Sequence, residues 1–430
     1  MRDLNLEQVS DPRIAASVDY PLPTILTALI VSMVSKAGSL RDTEKRTEQI
    51  AAKHKSWLGV QGRIPDNTLG AVLPRLDHEE LIGRLHDAVK AEHRRGNLTP
   101  TTLHKGTVAI DGKNTATLHW HDLCRVLELD KATAKPEAVK TWLSETFPAA
   151  QLCIPEEGEP YALVRVHNVT LISSDAAVCV HQRPIPASTN EIGAMPELLH
   201  TLYETYGHTT LFQRITTDAG NTSLTVASQI VGYGWHYFGQ IKSNNGDPHA
   251  EAQRVLSQLG KDQAEATYGD KQNGKVVTYY VWRRDLLNSG WLKWTHARQL
   301  IRVQRVVEDP ETGEQRIGNR YYVSSETPQK LSATSCLKIS RAHWRVENET
   351  HWTADVELME DRRRHAWSRH PHGTLVVAIL RMMAQNILAI ARQLSRLAHT
   401  RDKPSWRDVA QHFLLVLCDS ILQTEAFDGA

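Results

Sequence analysis

The stretch HWRVENETHWTADVELMED, His343 to Asp361, decides how the rest of the chain is read. It packs acids and two His-Trp pairs, with almost no turn chemistry, into about five helical turns. At 3.6 residues per turn, His343, Glu347 and His351 fall on one stripe, and Trp344, Asn348 and Trp352 fall on the next. The first stripe carries chemistry; the second is aromatic and is expected to seat the helix on a sheet. Glu347 then reads as the last of three acids that together hold divalent metal. A half-buried helix with packed tryptophans and solvated polar groups would give the same pattern, so the other two acids decide the matter.

Two stretches supply them. Gly106 to Lys113 reads GTVAIDGK, a short apolar β run that ends in an acid followed by glycine and so delivers Asp111 where the chain turns. A turn-forming Asp-Gly pair is the plain alternative. Leu211 to Asn221 reads LFQRITTDAGN and repeats the pattern, with Asp218 at the end of the run. Between and after them come strands at Tyr161–Thr170 and Ala176–Gln182, a helix at Met195–Tyr206, a helix at Ser223–Val231 and a strand at Trp235–Lys242. An antiparallel first triplet followed by helical crossovers is the ribonuclease H-like order, in which the first and fourth strands lie side by side and their acids meet. The expected fold class is therefore α/β, a mixed five-stranded sheet with flanking helices. Two carboxylates at neighbouring strand ends and a third on a helix across the sheet suit Mg²⁺ or Mn²⁺, because hard cations take oxygen ligands. Two such ions would activate water or a 3′-hydroxyl and stabilise the leaving oxygen of an in-line phosphodiester displacement. His351 is a candidate to orient a water or the scissile phosphate, although a histidine beside a tryptophan is more often a packing residue with one satisfied hydrogen bond.

Composition sets wide bounds. The chain of 430 residues is long enough for several domains, and its net charge of +1 hides abundant acids and bases, so any nucleic-acid surface must be a local patch. The five cysteines, at 124, 153, 179, 336 and 418, form no Cys-x-x-Cys pair and suggest a reducing compartment. The apolar run Ile25–Val34 is too short to span a bilayer and lacks a preceding basic segment, so a cytoplasmic protein without membrane contact is expected. Residues 1–100 read as a helical domain, with Pro23 opening a helix, a capped start at Ser39 and apolar spacing over Leu76–Arg94. The turn at Pro65-Asp66-Asn67 permits a helix-turn-helix. The core would occupy 101–245 with a helical insertion at 116–158. A β-rich insertion would fill 246–327, the core would resume over 328–400 with the glutamate helix, and a last helix would lie in 401–430.

With these residues in hand, the chain resembles the DDE transposases of the ISAs-type insertion sequences, whose relatives include the H-repeat proteins found with Rhs elements. The segments that carry the resemblance are DPR and YPL near the start, IPDNTL and LPRLD in the helical region, AIDGK at Asp111, TNEI and PELL from Thr189, TTDAGNT at Asp218, IKSNN at Lys242, RYYVSS at Tyr321, and HWRVEN with HW, DV and ED at the end. They occur in the family's order and cover most of the chain. The resemblance implies a ribonuclease H-like core with a β insertion before the catalytic glutamate, an associated helical domain, two Mg²⁺ or Mn²⁺ ions, and cutting and joining of element ends. Its catalytic and metal-binding triad falls on Asp111, Asp218 and Glu347. The partners it implies are double-stranded DNA, as terminal inverted repeats and target, and a second copy of the chain on that DNA. It also implies a bacterial cytoplasmic protein associated with the nucleoid when bound to DNA.

The departures are specific. After AIDGK the family continues with a Thr-Leu-Arg-Gly-like segment, whereas here Asn114-Thr115 leads into a long excursion; Lys242-Ser-Asn-Asn245 stands where Lys-x-Asn-Gln is usual. In the wider clan an arginine precedes the glutamate by four and a lysine follows it by seven; here those places hold His343 and Ala354. DNA contacts are therefore expected from Lys113, Lys242, Asn244, Arg345, His351 and the run Arg362, Arg363, Arg364, each of which could instead be a solvated surface group. Two other readings compete: a domesticated DNA-binding protein that no longer transposes, and a zinc hydrolase using Glu347 with His343 or His351, which lacks the HExxH order.

Overall fold

A computed structural model describes residues 2–14, 18–286, 292–360, 370–394 and 404–418. The chain begins with a helical unit: α1 (Leu22–Val34), α2 (Leu40–Gln49), α3 (Ala52–Leu58), α4 (Asp66–Val72) and α5 (His78–Arg94). Pro23 lies in the first turn of α1, where a missing N–H costs no hydrogen bond. Ser39 and Asp77 cap α2 and α5 by accepting from the main-chain N–H groups of Asp42 and Glu79.

The rest of the chain builds one layer of sheet. In order it runs β1 (Thr107–His119), α6 (Trp120–Val126), α7 (Pro136–Thr146), β2 (Ala150–Cys153), β3 (Tyr161–Leu171), β4 (Val178–Pro184), α8 (Glu191–Tyr206), β5 (Arg214–Thr217), α9 (Leu224–Gly232), β6 (His236–Ile241), α10 (Asp247–Leu256), β7 (Ala266–Gln272), β8 (Lys275–Asp285), β9 (Gln299–Glu308), β10 (Gln315–Ser324), α11 (Ala333–Ala342), α12 (Pro371–Leu394) and α13 (Trp406–Leu417). The ten strands form a single mixed sheet in the order β2-β3-β1-β5-β6-β10-β9-β8-β7, with β4 also on β3.

Two differences from the sequence reading have physical causes. Strand β1 does not stop at Asp111 but runs on to His119, pairing with β3 as far as Tyr161, so the excursion expected from residue 116 begins as strand. Its helices α6 and α7 then bury Trp120, Leu123, Val139 and Leu143 in a small cluster of their own against β2, β3 and Leu375. The five-stranded sheet is also too small. Strands β7 to β10 do not form a separate module, because β10 pairs antiparallel with β6 over Tyr321–Ser324. Without that pairing β6 would present a row of unpaired backbone groups at an open edge.

Helix α12 ties the helical unit to the sheet. It is long and apolar enough to cross a membrane, but most of it is buried inside the protein, packed against α1, α5 and β4. A further brace is the ion pair of Arg214, at the head of β5, with Glu326 just beyond β10, at 2.6 Å with both side chains fully buried; Lys105, just before β1, reaches the same carboxylate at 2.8 Å.

Candidate metal centre and the groove beside it

The parallel ladder between β1 and β5 ends at the pair Ile110↔Thr217. Asp111, still on β1, and Asp218, just past β5, are the next residues, so they leave the ladder side by side. Thr107 to Ile110 are buried on both faces and Asp111 is the first residue of β1 to open toward solvent. Asp111 therefore lies not at a strand end, as expected, but just past the end of a strand pairing. Asp218 is fixed by its own loop: its two carboxylate oxygens accept from the main-chain N–H groups of Gly220, at 3.2 Å, and Asn221, at 2.9 Å.

Glu347 arrives on a helix that changes pitch. After α11 the chain winds through wide π-helical turns at Val346–His351 and Thr353–Glu357, a geometry found disproportionately at functional sites. Four side-chain contacts bolt this part of the chain across the sheet. His343 Nδ1 lies 2.8 Å from Thr216 Oγ1 on β5, Thr350 bonds Thr170 on β3 at 3.0 Å, and Lys113 of β1 reaches Asp355 at 2.6 Å and also pairs with Glu360. Glu347 itself stays exposed. Its carboxyl pKa is raised by partial burial and by the charge of Asp218.

The electrostatics converge on Asp111. Burial, then the charges of Asp218, Glu347 and Glu191, push its pKa up to about 7. His351 faces it, with Nδ1 3.6 Å from Oδ2. Burial, with the charge of Lys113 next, lowers the imidazole pKa to about 3, so this histidine is neutral. As the side chains stand, no three His, Cys, Asp or Glu residues among the described residues converge closely enough to hold a metal ion. The donor chemistry nevertheless fits a hard dication: carboxylate oxygens that repel one another, of which Asp111 carries a proton near neutrality that a cation would displace. The zinc reading fares worse, because His343 Nδ1 is engaged by Thr216 and His351 is turned to Asp111.

Several expected DNA contacts have other work. Lys113 is held between Asp355 and Glu360 with its side chain 10% exposed, so it fastens the glutamate segment to β1. Arg345 pairs with Glu349 at 2.6 Å and donates to the carbonyls of Ile172, Ser174 and Asp175, which leaves it clamping the β3–β4 turn. Asn244 is exposed, but its Nδ2 donates to the carbonyl of Ala219 at 3.0 Å and so braces the Asp218 loop. His343, which stands where the wider clan has arginine, is buried on Thr216. Trp352 is 43% exposed and does not seat the helix. Lys242 is exposed beside the Asp218 loop, and Arg362, Arg363 and Arg364 lie outside the described residues.

What the sequence reading missed is a basic, aromatic groove of ≈690 Å³ that starts at Asn348, the neighbour of Glu347. Arg305 on β9, Arg316 and Arg320 on β10, Arg341 on α11 and Trp344 line it. The Arg320 guanidinium lies 4.4 Å from the Trp344 ring centre, and Arg341 sits 5.1 Å from that of Tyr279. Among the described residues, neither Arg305 nor Arg320 forms a close ion pair with a carboxylate, and the charge of Arg320 acts on Glu347. Cations over ring faces suit a strand of nucleic acid.

Family models and known proteins match parts of this chain. Residues 161–386 match a family model described as "Transposase DDE domain", and residues 4–87 match one described as "DDE_Tnp_1-associated". The chain is 26% identical over 234 residues to "Putative transposase YncI" of Escherichia coli O157:H7, covering 52% of this chain and 56% of that protein. It is 27% identical over 367 residues to "Putative protein YbfL" of Escherichia coli K12, covering 82% of each. A third relative, "H repeat-associated putative transposase YhhI" of the same strain, is 26% identical over 205 residues, which is 46% of this chain and 52% of that protein. The aligned part thus spans little more than half the length of the first and third relatives.

Proposed function

This chain belongs to the DDE transposase family, and from that premise we propose that it cuts and joins DNA at the ends of an insertion sequence, with Asp111, Asp218 and Glu347 as its metal-binding catalytic triad on a ribonuclease H-like core. The observation that carries this reading is the end of the β1–β5 ladder at Ile110↔Thr217, which sets two acids side by side under a helix that carries the third. Two Mg²⁺ or Mn²⁺ ions, when bound, would supply an activated water or 3′-hydroxyl and charge stabilisation for the leaving oxygen. Asp111, central to the field of the other carboxylates, would hold the ions together with Asp218 and Glu347. Neutral His351, packed on Asp111, fixes the orientation of that carboxylate. Lys113 keeps the Glu347 segment in register with β1 through Asp355 and Glu360.

In this reading the DNA runs from the carboxylates into the arginine groove, with Lys242 at the end of β6, the strand between β5 and β10. Joining two ends requires two copies of the chain on DNA. Incubation with plasmid carrying the element's terminal repeats tests the function. Mg²⁺ should yield breaks at the repeat boundary with 3′-hydroxyl ends, and EDTA should abolish them; cleavage that persists in EDTA contradicts the reading. Arg305→Ala and Arg320→Ala should each weaken DNA binding for all sequences alike and lower the slope of log affinity against log salt by about 1. A filter-binding titration over salt checks this, and an unchanged slope removes the groove from the DNA path.

A further inference from the structure

Glu191 is the first residue of α8, whose N-cap Asn190 accepts from the main-chain N–H of Gly193. The unpaired N–H groups of a helix start favour an acid there, which accounts for its presence but not for where it points. Its carboxylate lies over Gly112, the residue after Asp111. A Cβ at position 112 would come within 2.3 Å of Glu191 Cδ and within 2.5 and 2.6 Å of its two oxygens. Glycine at 112 therefore leaves the space that this carboxylate occupies beside β1. Fully buried Asn221 links it to the metal loop, with Nδ2 3.5 Å from Glu191 Oε2 and its main-chain N–H on Asp218. Among the described residues, no lysine or arginine pairs with Glu191. An acid with only a structural task would turn to solvent rather than toward the carboxylate of Asp111, which its charge opposes. His351, 8% exposed and packed on Asp111, holds a ring nitrogen, Nε2, that is buried and without a partner.

We propose that Glu191 is a fourth carboxylate ligand of the divalent-cation site formed by Asp111, Asp218 and Glu347, an inference that rests on the three-carboxylate reading above. The sequence-visible triad is then one member short, and the α8 start belongs to the metal centre as well as to the fold.

Mn²⁺ binding to the full-length protein, followed by the paramagnetic resonance signal of free Mn²⁺, tests this without any DNA. Glu191→Gln should lower Mn²⁺ affinity about tenfold or more with an unchanged far-ultraviolet circular dichroism spectrum. Gly112→Ala, which displaces the Glu191 carboxylate without altering any charge, should lower affinity in the same sense, and it decides the matter if Glu191→Gln fails to fold. Unchanged affinity in both variants, alongside a loss in Asp111→Asn, overturns the fourth ligand and leaves the triad standing. Unchanged affinity in Asp111→Asn as well overturns both.

Discussion

Asp111→Asn should lose Mg²⁺-dependent cleavage of end-containing DNA by about 10³-fold or more while making the metal-free protein more stable at pH 8. The two effects share one cause. Asp111 is pressed by burial and by three other carboxylates, so its pKa stands near 7 against an ordinary value of 3.8. A group whose folded-state pKa is raised contributes stability that is fully present below the unfolded value and is lost as pH rises through the folded one. Here the loss runs from about pH 4 to about pH 7. Asparagine cannot ionise and escapes it. The gap of about three pH units sets an upper bound of about 4 kcal/mol at pH 8. Melting curves in EDTA at pH 8 and at pH 4 check the sign: the variant should melt higher at pH 8, and the difference should shrink at pH 4. A variant that loses cleavage and is also destabilised at pH 8 would indicate a structural role for Asp111.

Glu326→Ala should destabilise the protein by about 3–5 kcal/mol, the usual consequence of removing one partner of a buried ion pair. The carboxylate is fully buried between Arg214 and Lys105. Burial acts to raise its pKa, but the hydrogen bonds and charges of those two residues outweigh it and hold the carboxyl below its ordinary value of 4.5. Its contribution is therefore present above about pH 4.5 and lost as pH falls below that, opposite in sense to Asp111. Removing it strands the Arg214 guanidinium, which is 0% exposed, at the head of the strand that carries Asp218. Urea denaturation at pH 7 measures the loss, and the double change Arg214→Met with Glu326→Leu should recover much of it, since paired apolar groups leave no charge buried. A single variant within 1 kcal/mol of the parent would mean that this brace does not hold β5 to β10.

The legible parts of the molecule were those with a local signature. Two apolar runs that each end in aspartate, in an order that sets the first and fourth strands together, led to Asp111 and Asp218, and the ladder ending at Ile110↔Thr217 is the geometry that order predicts. The helix around Glu347 was legible as an element but not in its winding. Its π turns alter which residues share a face; Trp352 is exposed, and His343, at the end of α11 before those turns, is bonded to Thr216. The uses of Lys113 and Arg345 could not be read from the chain, because a basic residue beside a catalytic acid looks the same whether it meets phosphate or Glu360. The groove arginines come from β9, β10 and α11 and form no cluster along the sequence. Glu191 was quoted within the motif TNEI, yet its bearing on the site depends on the bare Cα of Gly112, far away in the chain.

The growth of the sheet from five strands to ten has a functional side. Pairing β10 to β6 brings Arg316 and Arg320 into the same sheet as Asp111 and Asp218. The insertion therefore extends the platform that carries the acids and adds a basic surface at its end, close to the helix of Glu347. An inserted module on a flexible tether would not fix that relation.

The most direct test of the central claim is a crystal structure of the protein soaked in Mn²⁺, with anomalous scattering recorded at the manganese edge. Anomalous peaks bounded by carboxylate oxygens of Asp111, Asp218 and Glu347 are the predicted result. Ordered Mn²⁺ elsewhere on the protein, with these three carboxylates free of metal, would contradict it.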